Sequence, residues 1–224
     1  MRLTLRNLYQ FIRDMGHVLL HGNLDSSDFF IFEDRGVVYA SVAKSACSSI
    51  KTSMAGEFPR GRSIHYHTRE FSHKRIPRAK RAYYAFSFVR NPYERLVSSY
   101  RDKFNMEDES RFLYSNYLFG YLRNDDSFED YVRKVTRLPD FLCDRHFKTQ
   151  HSIIFSRGAK MDHVGKVENL PEDYEEIRKR YEFHELKILN KSHGTNADEM
   201  LTDEVKGIIH KRFRKDFDAF GYER

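Results

Sequence analysis

The chain has no tryptophan, only two cysteines, and no glycine between Gly36 and Gly56. Each shortage excludes something. Cys47 and Cys143 make neither a zinc spacing nor a disulfide framework, which favours a reducing compartment. The glycine gap removes the nucleotide triphosphate loop that ends Gly-Lys-Ser/Thr. No dinucleotide fingerprint with its spaced glycines takes its place. Long apolar runs are missing too: Arg2, Arg6, Arg13 and Asp14 interrupt the first twenty residues, so neither a secretory signal nor a membrane span fits there. No carboxylate cluster suggests a metal.

What is present is ring-rich and basic. Nineteen Phe and fourteen Tyr point to an aromatic core. At 224 residues the chain is long enough for one sizeable domain, and we read residues 1–224 as that, with residues 1–22 as a helical extension. A net charge of +6 favours anionic ligands; the same balance would suit a nucleic-acid binder, but no basic stripe interleaved with aromatics supports one.

The most informative stretch is Val37 to Lys51. Val37–Val42 reads as a buried strand, running into Ala43, Lys44, Ser45, Ala46, Cys47, Ser48 and Ser49 and then a helix through Ile50 and Met54. Small residues at a strand-to-helix turn let backbone N–H groups close around an anion at the positive helix end. Lys44 adds a mobile cation, so the predicted ligand is a phosphate. A second strand candidate, residues 83–89, leads to Arg90-Asn91-Pro92, with Asn91 as N-cap and Pro92 opening a helix. Tyr93, Leu96, Val97, Tyr100 and Phe104 form its core face, and Ser98 lies off it. By themselves Arg90 and Ser98 read as a surface arginine and an exposed serine.

Together these segments resemble the sulfotransferases that use 3′-phosphoadenosine 5′-phosphosulfate (PAPS), the Golgi-type carbohydrate enzymes and their bacterial relatives above all. Residues 43–51 look like the family's 5′-phosphosulfate loop, with Ala43 for the usual proline and Ser48 for threonine; residues 88–104 are similar to its 3′-phosphate motif. Residues 164–170 and 216–222 also look like family segments, and Asp144–Gln150 is a looser match. The resemblance implies an α/β fold, a three-layer sandwich around a mainly parallel sheet, with P-loop nucleotide-kinase-like architecture. It implies PAPS as sulfuryl donor, no metal, and a poly- or oligosaccharide acceptor, lipid-linked sugars included. Lys44, Ser45, Ala46, Cys47, Ser48 and Ser49 would hold the 5′-phosphate, Arg90 and Ser98 the 3′-phosphate. Lys44 would neutralise the leaving oxygen. Lys191, in a late family loop, would reach the 3′-phosphate or the acceptor, although a lysine before a glycine turn is by default solvated. Lys51 reads as solvated.

For the base, His65 comes first and His67 second, with Glu70 a distant third, because imidazole titrates near working pH. His146 and Gln150 line an acceptor cleft or simply pack. The basic run Lys74–Arg81 attracts an anionic glycan or keeps a long loop soluble. Two other readings stay open: a P-loop phosphotransferase, and a non-catalytic polyanion-binding protein. The expected setting is bacterial cytoplasm with peripheral membrane contact allowed, or the Golgi lumen for a trimmed chain; a nucleic-acid partner is not expected.

Overall fold

The computed structural model describes residues 5–56, 63–104, 114, 117–189 and 197–224. Its strands are β1 (Asp28–Phe32), β2 (Val37–Ser41), β3 (Ser72–His73), β4 (Tyr84–Val89) and β5 (His163–Lys166). Its α-helices are α1 (Leu5–His21), α2 (Cys47–Ala55), α3 (Ile64–His67), α4 (Pro92–Lys103), α5 (Phe128–Arg137), α6 (Gln150–Ile154), α7 (Leu170–Arg180), α8 (Ala197–Met200) and α9 (Asp203–Phe220). No helix among the described residues is long and apolar enough to cross a membrane. Contacts divide the chain into two compact units: Ser27–Arg90 with Gln150–His193, and Met1–Ser26 with Asn91–Thr149 and Gly194–Arg224.

The first unit is built on one sheet in the order β3-β1-β2-β4-β5. β2, β4 and β5 run parallel, as expected of a mixed α/β chain. The β1–β2 hairpin and β3 make the other half antiparallel, so only the β2-β4-β5 part meets the expectation of a parallel sheet. β3 arises within the basic stretch read from sequence as a surface loop; Ser72 and His73 pair with Phe30 and Phe29.

Period-two alternation divides the sheet's side chains between two faces. Phe30, Phe32, Val37, Tyr39, Phe86 and Phe88 pack with Ile50 and Met54 of α2 and Leu170, Tyr174 and Ile177 of α7. Phe29, Ile31, Val38, Ala40 and Ala85 fill the other face under Ile76, Tyr83, Ala159 and Met161. Gly165 in β5 is a packing requirement: a Cβ there would meet the Phe88 ring at 2.4 Å.

The second unit is helical around an aromatic core of Tyr93, Phe104, Tyr114, Phe128, Tyr131, Phe147, Phe213 and Phe217. Its helices start where the sequence says. Asn91 Oδ1 accepts from Tyr93 N at 2.9 Å, Ser127 Oγ from Asp130 N at 3.1 Å, and Thr202 Oγ1 from Val205 N at 3.3 Å. Sequence reasoning missed Arg95, which is fully buried on α4 and donates at 2.7 Å to the carbonyls of Lys148 and of Arg145. A buried guanidinium with two carbonyl acceptors locks that segment to the helix.

Candidate functional site

The β2–α2 connection has the backbone of an anion cradle. Lys44 and Ala46 both take positive φ, 67° and 55°. For residues with a Cβ this costs about 1–2 kcal/mol each and persists only where the surroundings enforce it. The turn does without glycine by accepting that strain. Ala46 is also the N-cap of α2 and offers no side-chain acceptor, so no side chain caps the helix. The helix end thus presents uncapped N–H groups where the macrodipole favours negative charge. Lys44, Ala46, Cys47 and Ser48 are half-buried; Ser45 and Ser49 are buried.

The two buried hydroxyls are engaged from outside the loop. Ser49 Oγ accepts from Leu189 N at 2.9 Å. Ser45 Oγ donates at 3.2 Å to Gln150 Oε1, and the same oxygen accepts from Arg90 N at 2.9 Å. Gln150 Nε2 returns a bond to Arg90 O at 2.7 Å. One wholly buried amide therefore clamps the β2–α2 turn to the residue that follows β4. This positioning role is what the sequence leaves invisible: the reading of Gln150 as a cleft residue gives way to a bridge between the two motif segments Ser45 and Arg90. Arg90 is half-buried.

α2 also carries Lys51, and here the expectation of a solvated side chain is wrong. Lys51 is 4% exposed, with Nζ 3.9 Å from the centroid of the Phe30 ring and 3.4 Å from His65 Nδ1. A cation over an aromatic face is favourable; α2 supplies the cation and β1 the ring, while α3 brings the His65 imidazole alongside. His65 is exposed on α3 and His67 is half-buried. The far end of α2 is fixed by Gly56, whose φ is 77° and whose Cβ would lie 2.6 Å from His184 Nε2.

In the helical unit, Ser98 is half-buried in the second turn of α4. His146 there is bound rather than open: its Nδ1 lies 2.6 Å from Asp144 Oδ1 and 3.3 Å from Tyr114 Oη. Burial opposes ionisation, yet the bonds and charge of His146 hold the Asp144 carboxyl below the usual carboxylate range. Lys191 lies outside the described residues. Among the described residues no group of three or more His, Cys, Asp or Glu side chains could hold a metal ion. Cys47 and Cys143 are both free thiols, and burial pushes Cys143 up to about 11.

Residues 27–223 match the sulfotransferase family, which is most of the chain. Carbohydrate sulfotransferase 11 of Rattus norvegicus is 27% identical over an alignment covering 88% of this chain and 68% of the relative. The Mus musculus protein of the same name is 26% identical over the same shares. No solved structure matches.

Proposed function

The chain belongs to the sulfotransferase family, and on that premise we propose that it moves a sulfuryl group from PAPS to a carbohydrate hydroxyl. The observation that carries the proposal is the β2–α2 turn, with two left-handed non-glycine residues and an uncapped helix end. Such a turn suits a phosphate and offers no other evident use for its strain. The carbohydrate acceptor is taken from the names of the two relatives.

The donor supplies the sulfuryl group, which passes to the acceptor oxygen as its bond to the 5′-phosphate breaks. Backbone amides of Ser45 to Ser49 hold that phosphate, with Ser48 contributing its hydroxyl. Lys44 neutralises the negative charge left on the departing oxygen. Arg90 and Ser98 take the 3′-phosphate, the guanidinium by charge-assisted bonding, and Lys191 remains a further ligand in this reading. The acceptor proton goes to His65 or His67. If the Lys51 ammonium donates to His65 Nδ1, the neutral ring carries its proton on Nε2, and His67 becomes the better base. No metal is needed, because positioning and charge neutralisation are the main demands of the transfer.

Incubation with sulfur-labelled PAPS and a panel of glycans is expected to label at least one glycan without magnesium. Lys44→Ala should lower turnover by at least about a hundredfold. Magnesium-dependent phosphate transfer from ATP, with no glycan labelled, would overturn the reading in favour of a phosphotransferase.

A further inference from the structure

Helix α1 is held by one of its faces. Phe11 stacks on Phe119 with ring centroids 4.2 Å apart. Asp14 is turned inward at 8% exposure, where Gln10 Nε2 and Arg13 Nη2 donate to its Oδ1 at 3.1 and 2.9 Å. Met15 and Val18 complete that face as half-buried side chains. The outward side is not the polar surface expected of a helix that serves folding alone. Leu19 and Leu20 are 86% and 81% exposed, Tyr9 70%, Ile12 61% and Leu8 40%. More than half of the described large apolar side chains that stand exposed lie on this one helix.

At about 100° per residue these five fall within an arc of about 120°. Gly16 lies inside that arc, and no polar residue of α1 shares it. One flank of the stripe is basic: Arg13 borders it, and the register brings Arg6 and His17 to the same side. The one carboxylate of α1 is Asp14, buried and already bonded by Arg13, so the helix presents no negative charge outward. Apolar surface left in water contributes nothing to the stability of the unit and favours a partner that covers it.

We propose that α1 docks flat on the surface of an anionic lipid bilayer, with the Leu8, Ile12 and Leu19 stripe among the acyl chains and the basic flank at the headgroups. Flat docking needs no span. The helix has 17 residues, about 26 Å of length, with Arg6, Arg13 and Asp14 among them, which suits the interface and not the bilayer core. Charge decides between lipid and a second copy of the chain. An antiparallel pair of α1 helices would set one Arg13 flank against the other, a like-charge contact. An anionic headgroup layer meets the same flank with opposite charge. The inference goes beyond sulfuryl transfer and does not depend on it.

The test exploits the lack of tryptophan in the chain. Tyr9→Trp places a single indole on the stripe, and its emission is read as vesicles are added. Vesicles of phosphatidylcholine with an equal share of phosphatidylserine should shift that emission to the blue and carry the protein down on sedimentation. Vesicles of phosphatidylcholine alone should bind at least about tenfold more weakly, and added salt should weaken binding to the mixed ones. Ile12→Gln/Leu19→Gln/Leu20→Gln alters exposed side chains, so its thermal melt should match the wild type while its vesicle affinity falls at least about tenfold. Should that variant melt early, the indole shift alone decides. No blue shift with the mixed vesicles would overturn the proposal, as would undiminished sedimentation of a folded triple variant. A blue shift that grows with protein concentration before any lipid is added would assign the stripe to a second copy, and would equally overturn it.

Discussion

Gln150 is the residue on which the site's geometry turns. It satisfies a hydroxyl and both backbone groups of Arg90 with one side chain, in a place where water cannot substitute. Gln150→Ala should raise the donor KM about tenfold and cost about 1–3 kcal/mol of stability, the usual range for stranded buried partners. Gln150→Glu keeps the accepting oxygen but loses the donor to Arg90 O, so it should fall between the wild type and alanine. Steady-state kinetics with a thermal melt on both variants decides this; a glutamate variant worse than alanine would count against the bridge. The histidines make a second prediction at this scale. Activity should rise with pH through the imidazole range, and the acidic limb should vanish in the His65→Ala or the His67→Ala variant, whichever residue is the base. A limb that survives in both variants would move the proton elsewhere.

At the scale of elements, local signals were readable and distant partners were not. Asn91, Ser127 and Thr202 announce their helices because capping is settled within three residues of chain. β3 was illegible because two polar residues become a strand only by pairing with Phe29 and Phe30, more than forty positions earlier. Lys51 looked solvated for the same reason: the ring that covers it belongs to β1. One element-level contact carries a pH signature. Arg212 of α9 bonds Asp140 Oδ1 at 2.6 Å, and Thr149 Oγ1 donates to Asp140 Oδ2 at 2.6 Å. Burial pushes the Asp140 carboxyl up, but Arg212 and the Thr149 bonds outweigh it and hold the group below its ordinary value. A depressed carboxyl contributes stability that is full above its unfolded pKa of about 4 and lost as pH falls through the folded value. Asp140→Asn should therefore cost about 1–2 kcal/mol at neutral pH. Denaturant melts should show that difference shrinking below pH 4; a constant gap would mean the ion pair is not the cause.

At the scale of the whole molecule, the contacts form two compact units that share the chain in alternating pieces. Among the described residues the crossings fall at Ser26–Ser27, Arg90–Asn91 and Thr149–Gln150, with no proline- or glycine-rich linker to advertise them. Two of these joints lie inside the segments that resemble family motifs, so a motif that reads as continuous in the chain is divided between the two units. The family itself was legible, because a strand, a small-residue turn and a helix are contiguous in the chain and match over residues 27–223.

We propose that the Lys44 ammonium and the strained β2–α2 turn together hold a nucleotide's 5′-phosphate. Calorimetric titration with adenosine 3′,5′-bisphosphate, on the wild-type protein and on Lys44→Ala, tests it most directly. We predict one saturable site in the wild type and a markedly weaker one in the variant. No heat from the wild-type protein, or identical binding by both, would contradict it.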